Sequence, residues 1–244
     1  MKKQVWHLYE RVYDSILLRL IPYQRLLKNA VQNLNSRDGL AYLDAGCGTG
    51  NLLALLLSTD LRIEAVGADF SPAMLKRAAV KLESSGNRVR FFEVDLNKEL
   101  PFANSQFDGA TCLNVLYALN EPDLFIRELN RVLKPGGVVI ISTPLLRPKI
   151  FPIAKEHLDA LKAESPRFWL AVFAGQVIGV FFPTLLFVLI NLFIKGNKDL
   201  KFYSREELSA LISSAGFELE KVELVYGNQN WFIRAVKQNS LDVN

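Results

Sequence analysis

From Leu40 the chain changes rhythm, and that change limits its fold more than any other feature. Short β-rich runs alternate with helical ones: LAYLDA then NLLALLL, IEAVGAD then SPAMLKRAAVKL, VRFFEVD, FDGATCLN then EPDLFIRELNRVL, and VVIIST. Such repeats close as parallel strands joined by right-handed crossovers, which predicts a doubly wound α/β sheet. Upstream, residues 5–34 read as two helices broken at Pro22, the second with Leu26, Leu27, Ala30, Val31 and Leu34 on one face. Downstream, SREELSALISSA reads as a helix with Ser204 as N-cap and Glu207 in a capping box, stopped by Gly216. FELEKVELVY and NWFIRAV then read as a hairpin turning at Gly227-Asn228-Gln229.

Half of the 244 residues are apolar and the net charge is only +4, so the chain collapses around a core and is not disordered. Cys47 and Cys112 are too few for a disulfide framework, and charges interrupt the first residues where a signal peptide needs an apolar stretch. Both features point to a reducing cytosol. With two histidines and two cysteines spread along the chain, no metal site is expected.

The first strand runs into Leu-Asp-Ala-Gly-Cys-Gly-Thr-Gly at residues 43–50, where glycines let the backbone turn tightly and bring helix-start N–H groups close to a ligand. A nicotinamide or flavin fingerprint needs a third glycine or an alanine where Asn51 stands. Asp44, two residues ahead of the glycines, repels a pyrophosphate but can hold a cationic amino group, directly or through water. Asp69 closes the second strand, 19 residues past Gly50, where an acidic side chain bonds ribose hydroxyls. Asp95 closes the third and can pair with an adenine amino group. Three acidic strand ends over one crevice ask for an amino group, a diol and a base.

At this point the sequence resembles the class I S-adenosylmethionine-dependent methyltransferases, of the broad type that includes ubiquinone- and menaquinone-biosynthesis enzymes. LDAGCGTG, VGADFSPAML, VDLNKELPF, FDGATCLNVLYAL and LKPGGVVIIS match that family's five motifs in order. The resemblance implies a seven-stranded Rossmann-like sheet, mostly parallel, with a reversed last strand, and S-adenosyl-L-methionine as cofactor. It assigns Asp44, Gly46, Cys47, Gly48 and Gly50 to the methionine end, and Asp69 to the ribose. Phe70 and Met74 flank the base, Asp95 and Leu96 read adenine, and Asn114 faces the methyl-transfer side. Judged on its own, Cys47 reads as a small loop filler, since no histidine stands near it to make it a nucleophile. Methyl transfer to oxygen or carbon also needs a proton acceptor. His157 is the candidate base; the alternative is a histidine satisfied within the fold.

Residues 168–194 break the pattern with 27 residues free of charge, 21 of them apolar. A full membrane crossing would separate the last helix and two strands from the rest of the sheet. Pro183 divides the run into stretches too short to span ~30 Å of hydrocarbon. A helical hairpin dipping into one leaflet fits better, and the flanks 145–167 and 195–205 carry a net +5, suited to an anionic membrane. The alternatives are a buried lid over the crevice and a homodimer interface. The expected organisation is therefore an N-terminal helical cap over 1–37, a core of 38–144 with 203–244, and an apolar helical insertion over 145–202. The function expected is methyl transfer to a hydrophobic small molecule at the membrane surface. A soluble small-molecule methyltransferase and a non-catalytic cofactor-binding scaffold are the alternatives. A nucleic-acid partner is not expected, because LNVLYA stands where a base-methylating motif belongs.

Overall fold

The computed structural model describes residues 14–59, 62–145, 149–178 and 200–238. Its sheet contains β1 (Ala41–Ala45), β2 (Glu64–Asp69), β3 (Val89–Glu93), β4 (Phe107–Leu113), β5 (Leu133–Pro144), β6 (Phe217–Val225) and β7 (Asn230–Lys237). Their order is β3-β2-β1-β4-β5-β7-β6, seven strands in one sheet. All pairs are parallel except those of β7, which runs antiparallel to both β5 and β6. The order reverses between β1 and β4, so a crevice opens at the carboxyl ends of the strands there. The doubly wound sheet and its C-terminal reversal are as the sequence led us to expect.

The sheet's strand period of two sends alternate residues to opposite cores. In β5, Val139 and Ile141 face one apolar cluster, while Val138 and Ile140 face the other. The first cluster is covered by α4 (Pro122–Val132) through Phe125, Ile126 and Leu129, and by α7 (Arg205–Ser214) through Leu208 and Ile212. The second is covered by α1 (Ile21–Asn33), α2 (Asn51–Leu57) and α3 (Pro72–Lys81), which contribute Leu26, Ala30, Leu53, Leu56 and Leu75. Pro22 sits in the first turn of α1, where its missing N–H costs nothing. The Ser204–Glu207 capping box forms in full, and Gly216 ends α7 with a left-handed backbone.

The insertion begins with α5 (Ile150–Glu164) and α6 (Trp169–Ile178). Ala160 and Leu161 of α5 pack on Ile21 of α1, with Trp169 and Phe173 of α6 beside them. The β6–β7 turn grips the root of α5. Gly227 donates its N–H to the Glu156 carboxylate, Gln229 Oε1 accepts the Lys149 N–H at 2.6 Å, and a Cβ on Gly227 would strike the backbone of Pro152 and Ile153 at 2.8 Å. The described part of the insertion thus stands on α1 and this turn. For the alternative of a lid over the crevice, no described residue of α5 or α6 lines that crevice. The break at Pro183 and most of the uncharged run lie outside the described residues, as do His7, Tyr9 and Tyr13. Among the described residues, no helix is long and apolar enough to cross a membrane.

Phe125 is fully buried where α4 meets the sheet. Phe125→Ala is expected to lower the unfolding free energy in urea titration by about 3–5 kcal/mol, because the cavity it leaves cannot close.

Candidate functional site

β1 delivers Asp44 next to its last residue, opposite Thr111 in the β4 register. That pairing explains the first contact of the site: the Thr111 hydroxyl donates to Asp44 Oδ1 at 2.7 Å. Asp44 is almost wholly buried, and burial pushes its carboxyl up to about 7; the Thr111 bond works against this, and the charge of Asp69 adds to it. The glycine-rich loop follows. Gly46 has φ 80, and a Cβ there would come within 3.1 Å of the Val115 Cβ as well as straining the backbone.

Asp69 ends β2 and binds two backbone segments at once. Its Oδ2 accepts the Gly48 N–H at 2.9 Å, and its Oδ1 accepts the Ser71 N–H at 2.9 Å. It therefore ties the glycine loop to the start of α3, where the Ser71 hydroxyl accepts the Met74 N–H. Burial raises its carboxyl above the usual range, while the N–H groups of Ser71, Gly48 and Phe70 oppose that rise. Each oxygen has a second lone pair to offer a ligand hydroxyl.

On its other side the glycine loop is braced by a contact that sequence reasoning missed. Asp14 Oδ1 accepts the Thr49 hydroxyl at 2.6 Å and the Asn51 Nδ2 at 3.0 Å, while its Oδ2 pairs with Lys81 Nζ at 2.8 Å. Lys81 also donates to Asn51 Oδ1. Burial alone would raise the Asp14 carboxyl, but these donors hold it below its ordinary value. Polar residues 35 and 67 positions apart from Asp14 carry no local signal that they will meet.

These elements surround a cavity of about 430 Å³, within the range of small-molecule sites. Eight of the residues singled out from sequence line it: Gly46, Gly48, Asp69, Phe70, Met74, Asp95, Leu96 and Asn114. Three do not. Asp44 is turned to Thr111. Gly50 is the left-handed N-cap of α2, packed against Ala78 and Leu82. Cys47 Sγ packs beside Gly67, where an added Cβ would meet it at 2.9 Å, and burial together with the charges of Asp44 and Asp69 drives its thiol well up, so it fills space. The remaining wall includes Leu113, Val115, Ala118 and Leu119, which is apolar. Asn97 Oδ1 accepts the N–H groups of Asn120 and Glu121 at 2.7 and 3.2 Å, closing the rim beside Asp95.

His157 is not among the described residues lining this cavity. It is buried in α5, and its Nδ1 accepts the Ile21 N–H at 3.3 Å, satisfying one of the donors that α1 cannot pair within itself. That bond ties α5 to α1 at a place away from the residues that line the crevice. Tyr23 likewise packs in the core, its hydroxyl taking the Asn51 Nδ2 at 3.4 Å.

Residues 43–141 match the family described as a methyltransferase domain. Those residues of this chain thus carry a methyltransferase domain. The chain is 39% identical over 132 residues to a demethylmenaquinone methyltransferase of Thermus thermophilus, covering 53% of this chain and 59% of that one. Against the demethylmenaquinone methyltransferase of Staphylococcus aureus it is 28% identical over 233 residues, covering 88% and 86%. The chain spans about half the length of the curated relatives it matches at higher identity. The fold is also that of magnesium protoporphyrin IX methyltransferase from Synechocystis, solved with S-adenosylhomocysteine bound, at TM-score 0.63, 18% identity, and 97% and 95% coverage.

The methyltransferase domain's crevice fits its cofactor, S-adenosyl-L-methionine, on chemical grounds. The Asp69 carboxylate with lone pairs to offer, Phe70 and Met74 in the lining, and glycine backbone beside buried negative charge suit a nucleoside with a cationic tail. A bound ammonium or sulfonium favours ionised Asp44, and protonation removes that attraction. Calorimetric affinity for S-adenosylmethionine is therefore expected to level off above about pH 7 and to fall by up to about tenfold per pH unit below it. Asp44→Asn should bind weakly at every pH and lose this slope.

Proposed function

We propose that the protein is an S-adenosylmethionine-dependent methyltransferase acting on a lipophilic quinone- or phenol-like molecule at the surface of an anionic membrane. The observation that carries the reading is one crevice lined both by glycine-loop and acidic residues and by the apolar Leu113, Val115, Ala118 and Leu119. The cofactor supplies a methyl group already activated on a sulfonium, so the chain's own work is to hold, orient and keep water out. Asp69 would hold the ribose, Phe70 and Met74 the base, and Asp95 with Leu96 the adenine edge. The glycine loop, backed by Asp44, would take the methionine tail. Asn114, between Leu113 and Val115 in the chain, lines the same crevice. The relatives named above carry a quinone in their names, which suits these apolar lining residues.

The membrane part of the proposal rests on α6. It bears no charge, and Leu170 is 63% exposed, with Phe168 just before it at 69%. Phe151 at the start of α5 is 77% exposed. Soluble surfaces seldom display such a cluster unless something covers it. The same stretch of chain carries Lys149, Lys155, Lys162 and Arg167, as suits anionic lipid headgroups.

Two measurements test this. Methyl transfer from S-adenosylmethionine to a panel of reduced naphthoquinones and phenols should be found; cofactor binding without transfer to any of them would favour the non-catalytic scaffold. In flotation with phosphatidylglycerol vesicles the protein should rise with the lipid. Phe168→Glu with Leu170→Glu should abolish that while leaving cofactor affinity unchanged. A protein that stays in the pellet and forms stable dimers would assign α6 to a second copy instead.

A further inference from the structure

Asn114 leaves β4 with φ 58, a left-handed backbone that a carboxamide residue tolerates better than most. Its N–H donates to the Ser142 carbonyl at 2.8 Å, which pins the backbone to β5. Its side-chain oxygen accepts a bond of 2.6 Å from Asn230 Nδ2. Asn230 is itself 3% exposed, the first residue of β7, and its Nδ2 also reaches the Ser142 hydroxyl at 3.2 Å. The next residue back, Gln229, is held by Leu145 and Lys149 at the root of the insertion, so Asn230 has little freedom to turn.

A carboxamide offers one oxygen and one pair of N–H donors on opposite branches. The Asn114 oxygen is committed to Asn230, and Asn114 lines the crevice. Its N–H pair is the end left for the crevice side. We infer that Asn230 is a positioning residue: by holding the Asn114 oxygen inward, it makes Asn114 a hydrogen-bond donor to an oxygen of the methyl acceptor. A hydroxyl oxygen that loses its proton before or during methyl transfer gains negative charge, and a fixed N–H beside it stabilises that charge. Were the carboxamide reversed, its oxygen would face the acceptor oxygen and repel it. This inference rests on the proposed methyl transfer to a hydroxylated ring.

The test uses the full chain and two readouts. In the amide NMR of the unmodified protein, the side-chain N–H pair of Asn230 should exchange slowly with solvent and that of Asn114 quickly. The opposite pattern overturns the inference, whether or not any methyl transfer is found. In kinetics with a reduced naphthoquinone, Asn230→Asp presents a carboxylate without donors and draws the Asn114 N–H pair inward. It should lower kcat by on the order of ten- to a hundredfold while leaving KM for S-adenosylmethionine unchanged. Asn114→Asp, which keeps an acceptor for Asn230 but removes the donor, should match it, and Asn114→Ala with Asn230→Asp should be no worse than Asn114→Ala alone. Losses that multiply, or an Asn230→Asp that retains kcat, would show that Asn230 does not act through Asn114. If the unmodified protein methylates nothing, the functional reading fails, and the NMR result still decides the orientation.

Discussion

Burying negative charge around a glycine-rich loop is the constraint on which the rest of the site depends. Asp44 and Asp69 lie at neighbouring strand ends, both with carboxyl groups pushed up by burial, and the charge of Asp69 bears on Asp44. A fold carries such a cost when something else offsets it. Asp69 is partly compensated by the N–H groups of Gly48 and Ser71, and Asp44 by the Thr111 hydroxyl. The remaining imbalance is one that a cationic ligand relieves. The same bonds hold the loop in shape, so the binding groups are also structural ones.

That double role explains where sequence reading succeeds and where it stops. The alternation of strand and helix, the acidic strand ends and the turn at Gly227 are local patterns, and each corresponds to an element in place. The residues between Phe70 and Leu96 that line the crevice lie in short segments leaving adjacent strands, so the topology alone brings them together. Asp44 was legible as important but not as turned toward Thr111, because that depends on the β1–β4 register across 67 residues. The Asp14–Lys81 brace and the Asn230–Asn114 bond join residues 67 and 116 apart, with no periodicity to announce them. His157 drew attention through its rarity, and the structure finds it at work capping α1, 136 residues away.

The insertion shows the same separation between composition and placement. Its lack of charge is plain in the sequence, yet composition alone does not say what it leans on. Trp169 and Phe173 pack near Ile21, Lys162 lies 4.8 Å over the Trp169 ring, and among the described residues of α6, Leu170, Ala171, Val172, Ala174 and Gly175 are exposed. One side of this helix is therefore committed to the body of the protein. The exposed residues are those that a second apolar environment would meet.

The antiparallel placement of β7 has a consequence for how the molecule is born. Emerging from the ribosome in order, β6 precedes β7, yet β7 lies between β5 and β6. Until residues 230–237 have been synthesised, β5 has an open edge and β6 has no partner in the sheet. Unpaired edges of this kind are where nascent chains associate wrongly. Because Asn230 opens that strand, the crevice gains its final support only in the same late step, and a chain stalled before it would present a sheet with an unfinished site.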